Sequence, residues 1–198
     1  MATVVVPFRG SDPKRRLEPI SDGDRVRIAE AMLEDVLDAA RAVGRVFVVA
    51  LDEQALPEDV DRVADPRHGQ GAAVRAALDA AVSAGSPAPY LVVNADLPCA
   101  TARDLLALAG AIPEDGLALA PAADGTTNAL GFADENLFSP LYGPGSAERY
   151  AALGPSRLVE APNLIDDVDT IDDLHRLASR LGAHTACVLA ALRGEAAA

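Results

Sequence analysis

Tyr90-Leu-Val-Val-Asn-Ala-Asp-Leu-Pro98 decides how this chain is read. Leu91, Val92 and Val93 form the unbroken apolar run expected of a parallel strand buried on both faces. Asn94 and Asp96 arrive where such a strand ends, and Pro98 prevents its continuation. A carboxylate at the carboxyl end of a central strand lies where open α/β sheets bind their ligands. The competing role for Asp96 is to cap the helix that follows.

On the N-terminal side, residues 3–7 predict a first strand and residues 8–21 a loop broken by Gly10, Pro13 and Pro19. Asp22 or Asp24 can cap a helix running to about Val43, whose apolar positions keep to one face. Strands at residues 45–50 and 60–64 follow, then a loop over 65–71 and an alanine-rich helix over 72–82. On the C-terminal side, Thr101 is placed to cap a helix carrying Leu105 and Leu108. A strand at 117–121, a polar turn at 123–127 and an antiparallel strand at 128–132 are expected next. Ser146 can cap a helix reaching Leu153. A strand at 157–160, a helix from Thr170 or Asp169 to Leu181, and a last helix over 183–192 complete the pattern. Strands alternating with helices predict an α/β fold, a mostly parallel, doubly wound sheet with one or two antiparallel strands at an edge. No repeat or linker divides the chain, so one domain over 1–198 is expected, with its core at 3–181.

Half of the 198 residues are hydrophobic, a globular composition. No apolar run approaches the roughly 20 residues of a membrane span, and Val4-Val5-Val6 begins without the layout of a signal peptide. Two cysteines, Cys99 and Cys187, do not make a disulfide scaffold, so a cytoplasmic home is expected. A formal charge of −13 argues against a nucleic-acid partner, which requires a basic face. An anionic small ligand would need positive charge concentrated locally. Lys14 is the only lysine beside sixteen arginines, and it lies with Arg9, Arg15 and Arg16 in the loop after the first strand.

Four loops carry candidate chemistry. Arg9, Gly10, Lys14 and Arg16 supply cations and backbone amides suited to a triphosphate. The loop is no Walker motif, since no Gly-Lys-Ser/Thr leads into a helix. Gly69-Gln70-Gly71 lets the backbone come close to a flat ligand such as a base. Asp96 together with the late cluster Asp166, Asp167 and Asp169 suits Mg²⁺, which takes one or two carboxylates along with phosphate oxygens and water. Thr126, Thr127 and Gly143-Pro-Gly-Ser146 offer hydroxyls and glycine amides to an anion. Each loop has a plainer explanation as a solvated turn or helix cap, and only their convergence would make a site. His68, His175 and His184 lack metal-ligand spacing, and no nucleophile elbow appears. That pattern fits a nucleophile already ionised, such as a phosphate monoester.

Taken in order, Pro7-Phe-Arg-Gly-Ser-Asp-Pro-Lys14-Arg-Arg16-Leu17, Gly69-Gln-Gly-Ala-Ala, Asn94-Ala-Asp96-Leu-Pro, Gly125-Thr-Thr-Asn-Ala-Leu130, Gly143-Pro-Gly-Ser146 and Asp167-Val-Asp-Thr170 resemble the guanylyltransferases of deazaflavin coenzyme (F-420) biosynthesis. Those enzymes act on 2-phospho-L-lactate or phosphoenolpyruvate. The resemblance spans about residues 3–181 and implies the nucleotide-diphospho-sugar transferase fold. It implies Lys14 and Arg16 on the GTP phosphates, Gly69 to Gly71 near the guanine, and Mg²⁺ held by Asp96 with Asp167 or Asp169. It further implies Thr127, Gly143 and Ser146 on the phosphorylated three-carbon acid, with handover of a labile product to the next transferase; a homodimer is also compatible. Three positions depart from the pattern: Gly71 stands where Asn is usual, Asn94 where Pro is usual, and Arg9 where Lys is frequent. Two other classes stay open, a nucleotidyltransferase acting on the molybdenum cofactor or a sugar phosphate, and a nucleotide-binding module without catalysis.

Overall fold

A computed structural model describes residues 1–8 and 20–196. The strands are β1 (Ala2–Pro7), β2 (Gly44–Ala50), β3 (Asp61–Ala64), β4 (Tyr90–Val93), β5 (Leu117–Pro121), β6 (Thr127–Phe132) and β7 (Ser156–Leu158). The helices are α1 (Asp22–Arg41), α2 (Gln70–Ser83), α3 (Ala102–Ala111), α4 (Ser146–Ala151), α5 (Pro162–Ile165), α6 (Ile171–Arg176) and α7 (Ala183–Ala196). These strands form one sheet in the order β3-β2-β1-β4-β6-β5-β7.

The expected α/β class is borne out, with one correction to the sheet. The antiparallel member, β6, lies inside the sheet, between β4 and β5, and both edge strands are parallel to their neighbours. Burial explains the placement. Every residue of β6 is buried, so both of its faces need cover, whereas the three residues of β7 are exposed and can tolerate an edge.

The period-two alternation of the strands divides the core into two layers. Val4, Val6, Leu91 and Val93 face Leu33, Val36, Leu37, Leu105 and Leu108 of α1 and α3. Val5, Val92, Leu119, Leu130 and Phe132 face Val74, Ala77 and Leu78 of α2 and Tyr150 of α4. A third cluster lies around the far side of α1, where Ile28 and Met32 pack with Cys99, Val168, Leu174, Leu177 and Leu189.

Helix caps refine several boundaries. Ser21 caps α1, its hydroxyl accepting from the Asp24 amide, in place of Asp22 or Asp24. Thr101 with Asp104 and Thr170 with Asp173 form reciprocal capping boxes, because in each pair a hydroxyl and a carboxylate stand three residues apart. Ser146 lies inside α4, whose cap is Gly145 in a left-handed conformation (φ 71°). The start of α7 is held from afar: Asp35 of α1, 5% exposed, accepts from the amides of His184 (3.0 Å) and Thr185 (2.9 Å). No helix among the described residues is long and apolar enough to cross a membrane.

Candidate active site

Because β1, β4 and β5 are parallel and β6 runs against β4 and β5, one edge of the sheet gathers the ends of β1, β4 and β5 and the start of β6. The Asn94 amide donates to the Asn128 carbonyl (3.0 Å), extending the β4–β6 ladder one step beyond Val93. Asp96 follows two residues later and is half-buried. Thr101 takes the capping role that Asp96 could have had.

Asp96, Asp167 and Asp169 each bring a carboxylate oxygen to within 4.8 Å of the others. Two local features build this triad. The Val168 amide donates to the Asp96 carbonyl (3.0 Å), stitching the late loop to the end of the central strand. The Val168 side chain is fully buried among Ile28, Met32 and Leu189, so in an extended stretch its neighbours Asp167 and Asp169 turn the other way. Asn128, 2% exposed, adds a second stitch by donating its side-chain amide to the Ile165 carbonyl (3.0 Å). Asp166 is excluded from the triad. It pairs with Arg180 and Arg176, whose hydrogen bonds hold its carboxyl below the usual range against the opposing effect of partial burial. Three carboxylates and no soft donor fit a hard, oxygen-preferring divalent cation of the magnesium or manganese type.

The second predicted loop reaches the same edge. Gly69 (φ 93°) is the N-cap of α2 and Gln70 its first residue. The Gln70 side-chain amide donates to Asn94 Oδ1 (2.8 Å), and Asn94 Nδ2 donates to the Thr127 carbonyl (3.3 Å). Gly71 has a steric reason. A Cβ there would overlap the ring of Pro140, which lies over the first turn of α2.

The third set also assembles. Thr127 and Ser146, both buried, place their hydroxyls 3.0 Å apart. The Ala147 amide donates to the Gly125 carbonyl (3.2 Å), joining the start of α4 to the turn before β6. Gly143 (φ 106°) shapes the loop leading into α4. Arg9, Gly10, Lys14 and Arg16 lie outside the described residues. The chain enters that segment from this same edge, where the Phe8 amide donates to the Val49 carbonyl (2.8 Å).

Thus the structure joins Asp96 to both Asp167 and Asp169, Gln70 to the end of β4, and Thr127 to Ser146. Sequence reasoning gave no role to Asn128 or Val168, and it placed Asn94 at the strand end and marked it as a departure without giving it a contact. Their signals were an amide at each of two neighbouring strand ends and an apolar residue between two aspartates. Cys99 is 2% exposed and packs in the third cluster, as expected of a structural thiol; burial pushes its pKa up.

Residues 2–149 match the family model described as "Guanylyl transferase CofC like". The chain belongs to this family of guanylyl transferases. It is 35% identical over 194 residues to the phosphoenolpyruvate guanylyltransferase of Sphaerobacter thermophilus, covering 90% of this chain and 93% of that one. It is 34% identical to the 3-phospho-D-glycerate guanylyltransferase of Phenylobacterium zucineum, with 98% of both chains covered. The 2-phospho-L-lactate guanylyltransferase of Natrialba magadii is also 34% identical, with 86% of this chain and 80% of that one covered. Among solved structures, a Desulfovibrio desulfuricans G20 protein assigned to the nucleotide-diphospho-sugar transferases superposes with a TM-score of 0.72 at 17% identity, over 98% of this chain and 96% of that one. Rv0371C of Mycobacterium tuberculosis H37Rv, solved as a complex with manganese, gives 0.57 at 20% identity, over 91% and 98%. At these identities the two structures establish the shared fold alone.

Proposed function

We propose that this guanylyl transferase moves GMP from GTP onto the phosphate of a phosphorylated three-carbon acid. An acceptor phosphate oxygen attacks the α-phosphorus in line, the bond to the β-phosphate breaks, and pyrophosphate departs. The observation carrying the proposal is the meeting of Asp96, Asp167 and Asp169 at the carboxyl edge, within 4.8 Å of one another. These three would hold Mg²⁺, which supplies charge neutralisation at the attacking and leaving oxygens when bound. The acceptor monoester, with a second pKa near 6 as in phosphoserine, is already ionised and needs alignment more than a base.

The remaining roles follow the order of the loops. Lys14 and Arg16 bind the triphosphate and stabilise the departing pyrophosphate, and Arg9 and Gly10 serve the nucleotide as well. Gly69, Gln70 and Gly71 lie against the base. Thr127, Gly143 and Ser146 orient the acceptor. Relatives named for phosphoenolpyruvate, 2-phospho-L-lactate and 3-phospho-D-glycerate add a third acceptor to the two expected from the sequence. A cytoplasmic enzyme that hands its labile product to the next transferase of deazaflavin coenzyme synthesis is the setting this reading implies, and a homodimer is compatible with it.

The test is pyrophosphate release from GTP with each of the three acids, with the product identified by mass. One acid should give a guanosine diphospho-linked product, and Asp96→Asn should abolish turnover while its unfolding transition stays cooperative. Wild-type turnover by Asp96→Asn would remove the triad from the reaction.

A further inference from the structure

The amides of Asn94 and Gln70 form a chain whose direction is fixed at one end. A backbone carbonyl can only accept, so the Asn94 atom 3.3 Å from the Thr127 carbonyl must be its NH₂. Asn94 therefore presents Oδ1 to Gln70. That oxygen can only accept, so the Gln70 atom 2.8 Å away must in turn be an NH₂. Gln70 is left with its carbonyl oxygen as its acceptor for a third group. Two amides that could each be turned around are set in one orientation by a main-chain oxygen in β6.

We propose that Asn94 is a positioning residue for base recognition: it locks the Gln70 amide so that a carbonyl oxygen is offered to the donor edge of guanine. The inference rests on the reading above, in which the Gly69 to Gly71 turn lies against the base. Guanine carries adjacent donors, N1–H and the 2-amino group, where adenine carries an unprotonated N1 and a C–H. A fixed acceptor satisfies the first edge and faces a lone pair on the second, the mismatch that separates polar ligands most strongly. The same residue joins the two halves of the site, because Thr127, whose carbonyl anchors Asn94, also meets Ser146 through its hydroxyl at 3.0 Å. Asn94 and Gln70 are thus read as a pair, the orienting amide and the amide that is oriented.

The test measures equilibrium binding of Mg-GTP and Mg-ATP to the whole protein without acceptor. Asn94→Ala should lower the GTP-over-ATP preference about 5-fold, the effect of losing one oriented neutral hydrogen bond. Asn94→Asp keeps an acceptor for the Gln70 NH₂ and should retain most of the preference. It nevertheless loses the donor to Thr127 and should melt lower. Gln70→Leu should lower the preference at least as far as Asn94→Ala, and it serves if the alanine variant does not fold. An unchanged preference in Asn94→Ala or Gln70→Leu overturns the inference, as does an aspartate variant no more selective than the alanine one. These outcomes differ from failure of the proposed function, in which the wild type binds no GTP or releases no pyrophosphate with any of the three acids.

Discussion

Val168→Ala probes how the fold builds the carboxylate triad. Val168 is fully buried, and the substitution removes two methyl groups from the cluster formed by Ile28, Met32, Cys99, Leu174, Leu177 and Leu189. Two methyl-sized groups at about 0.8 kcal/mol each, with a small cavity contribution, give a loss of about 2 kcal/mol. For a protein of this length that corresponds to a melting temperature lower by about 4 to 8 °C. Looser anchoring should also let Asp167 and Asp169 drift from Asp96, and altered support of a ligating residue typically costs 10- to 100-fold in metal affinity; a weakening of about 10-fold is expected. Leu189→Ala is the matched control. It opens a larger hole in the same cluster, with a stability loss of about 2 to 5 kcal/mol, but its chain neighbours are Val188 and Ala190 and not aspartates. Urea unfolding gives the stabilities, and calorimetric titration with Mn²⁺ gives the affinities. If Leu189→Ala weakens Mn²⁺ binding as much as Val168→Ala does, the triad follows global stability, and the argument from the buried valine between two aspartates is wrong.

Three further outcomes follow from particular contacts. Asp35→Ala leaves the His184 and Thr185 amides without their acceptor and should cost about 2 to 3 kcal/mol, with faster hydrogen exchange at those two amides; a melting temperature within about 1 °C of wild type would contradict the cap. Gly71→Asn forces a side chain into Pro140, so it should destabilise by about 1 to 3 kcal/mol; a stability gain would mean that the Pro140 segment yields freely. Cys99 is buried with its thiol pKa pushed up, whereas Cys187 is exposed. A disulfide reagent should therefore titrate one thiol in the native protein and two after denaturation, and rapid reaction of both would place Cys99 at the surface.

Much of the framework was legible in local chemistry. The apolar runs of β1, β2 and β4, the reciprocal caps at Thr101 and Thr170, and the turn chemistry around Gly143 depend on residues a few positions apart. Position in the sheet was less accessible. The antiparallel character of β6 could be anticipated, but its interior place depends on burial of both its faces beneath helices distant in sequence. In the site, Asp96 could be picked out by standing at the end of an apolar strand. Either Asp167 or Asp169 was expected as its partner, and the structure brings both.

The sequence by itself determined the residue types at each loop, the strand-helix alternation and the resemblance to a family. Those are properties of neighbouring residues and of their order along the chain. Only the tertiary structure decided that Val168 turns inward and so aims its two flanking aspartates at Asp96, and that Asp35 caps a helix 149 residues later. It alone decided that a carbonyl in β6 sets the direction of two amides in other elements. Hydrogen bonds and burial act across space, and the residues they join carry no mark in the sequence of how near they will stand.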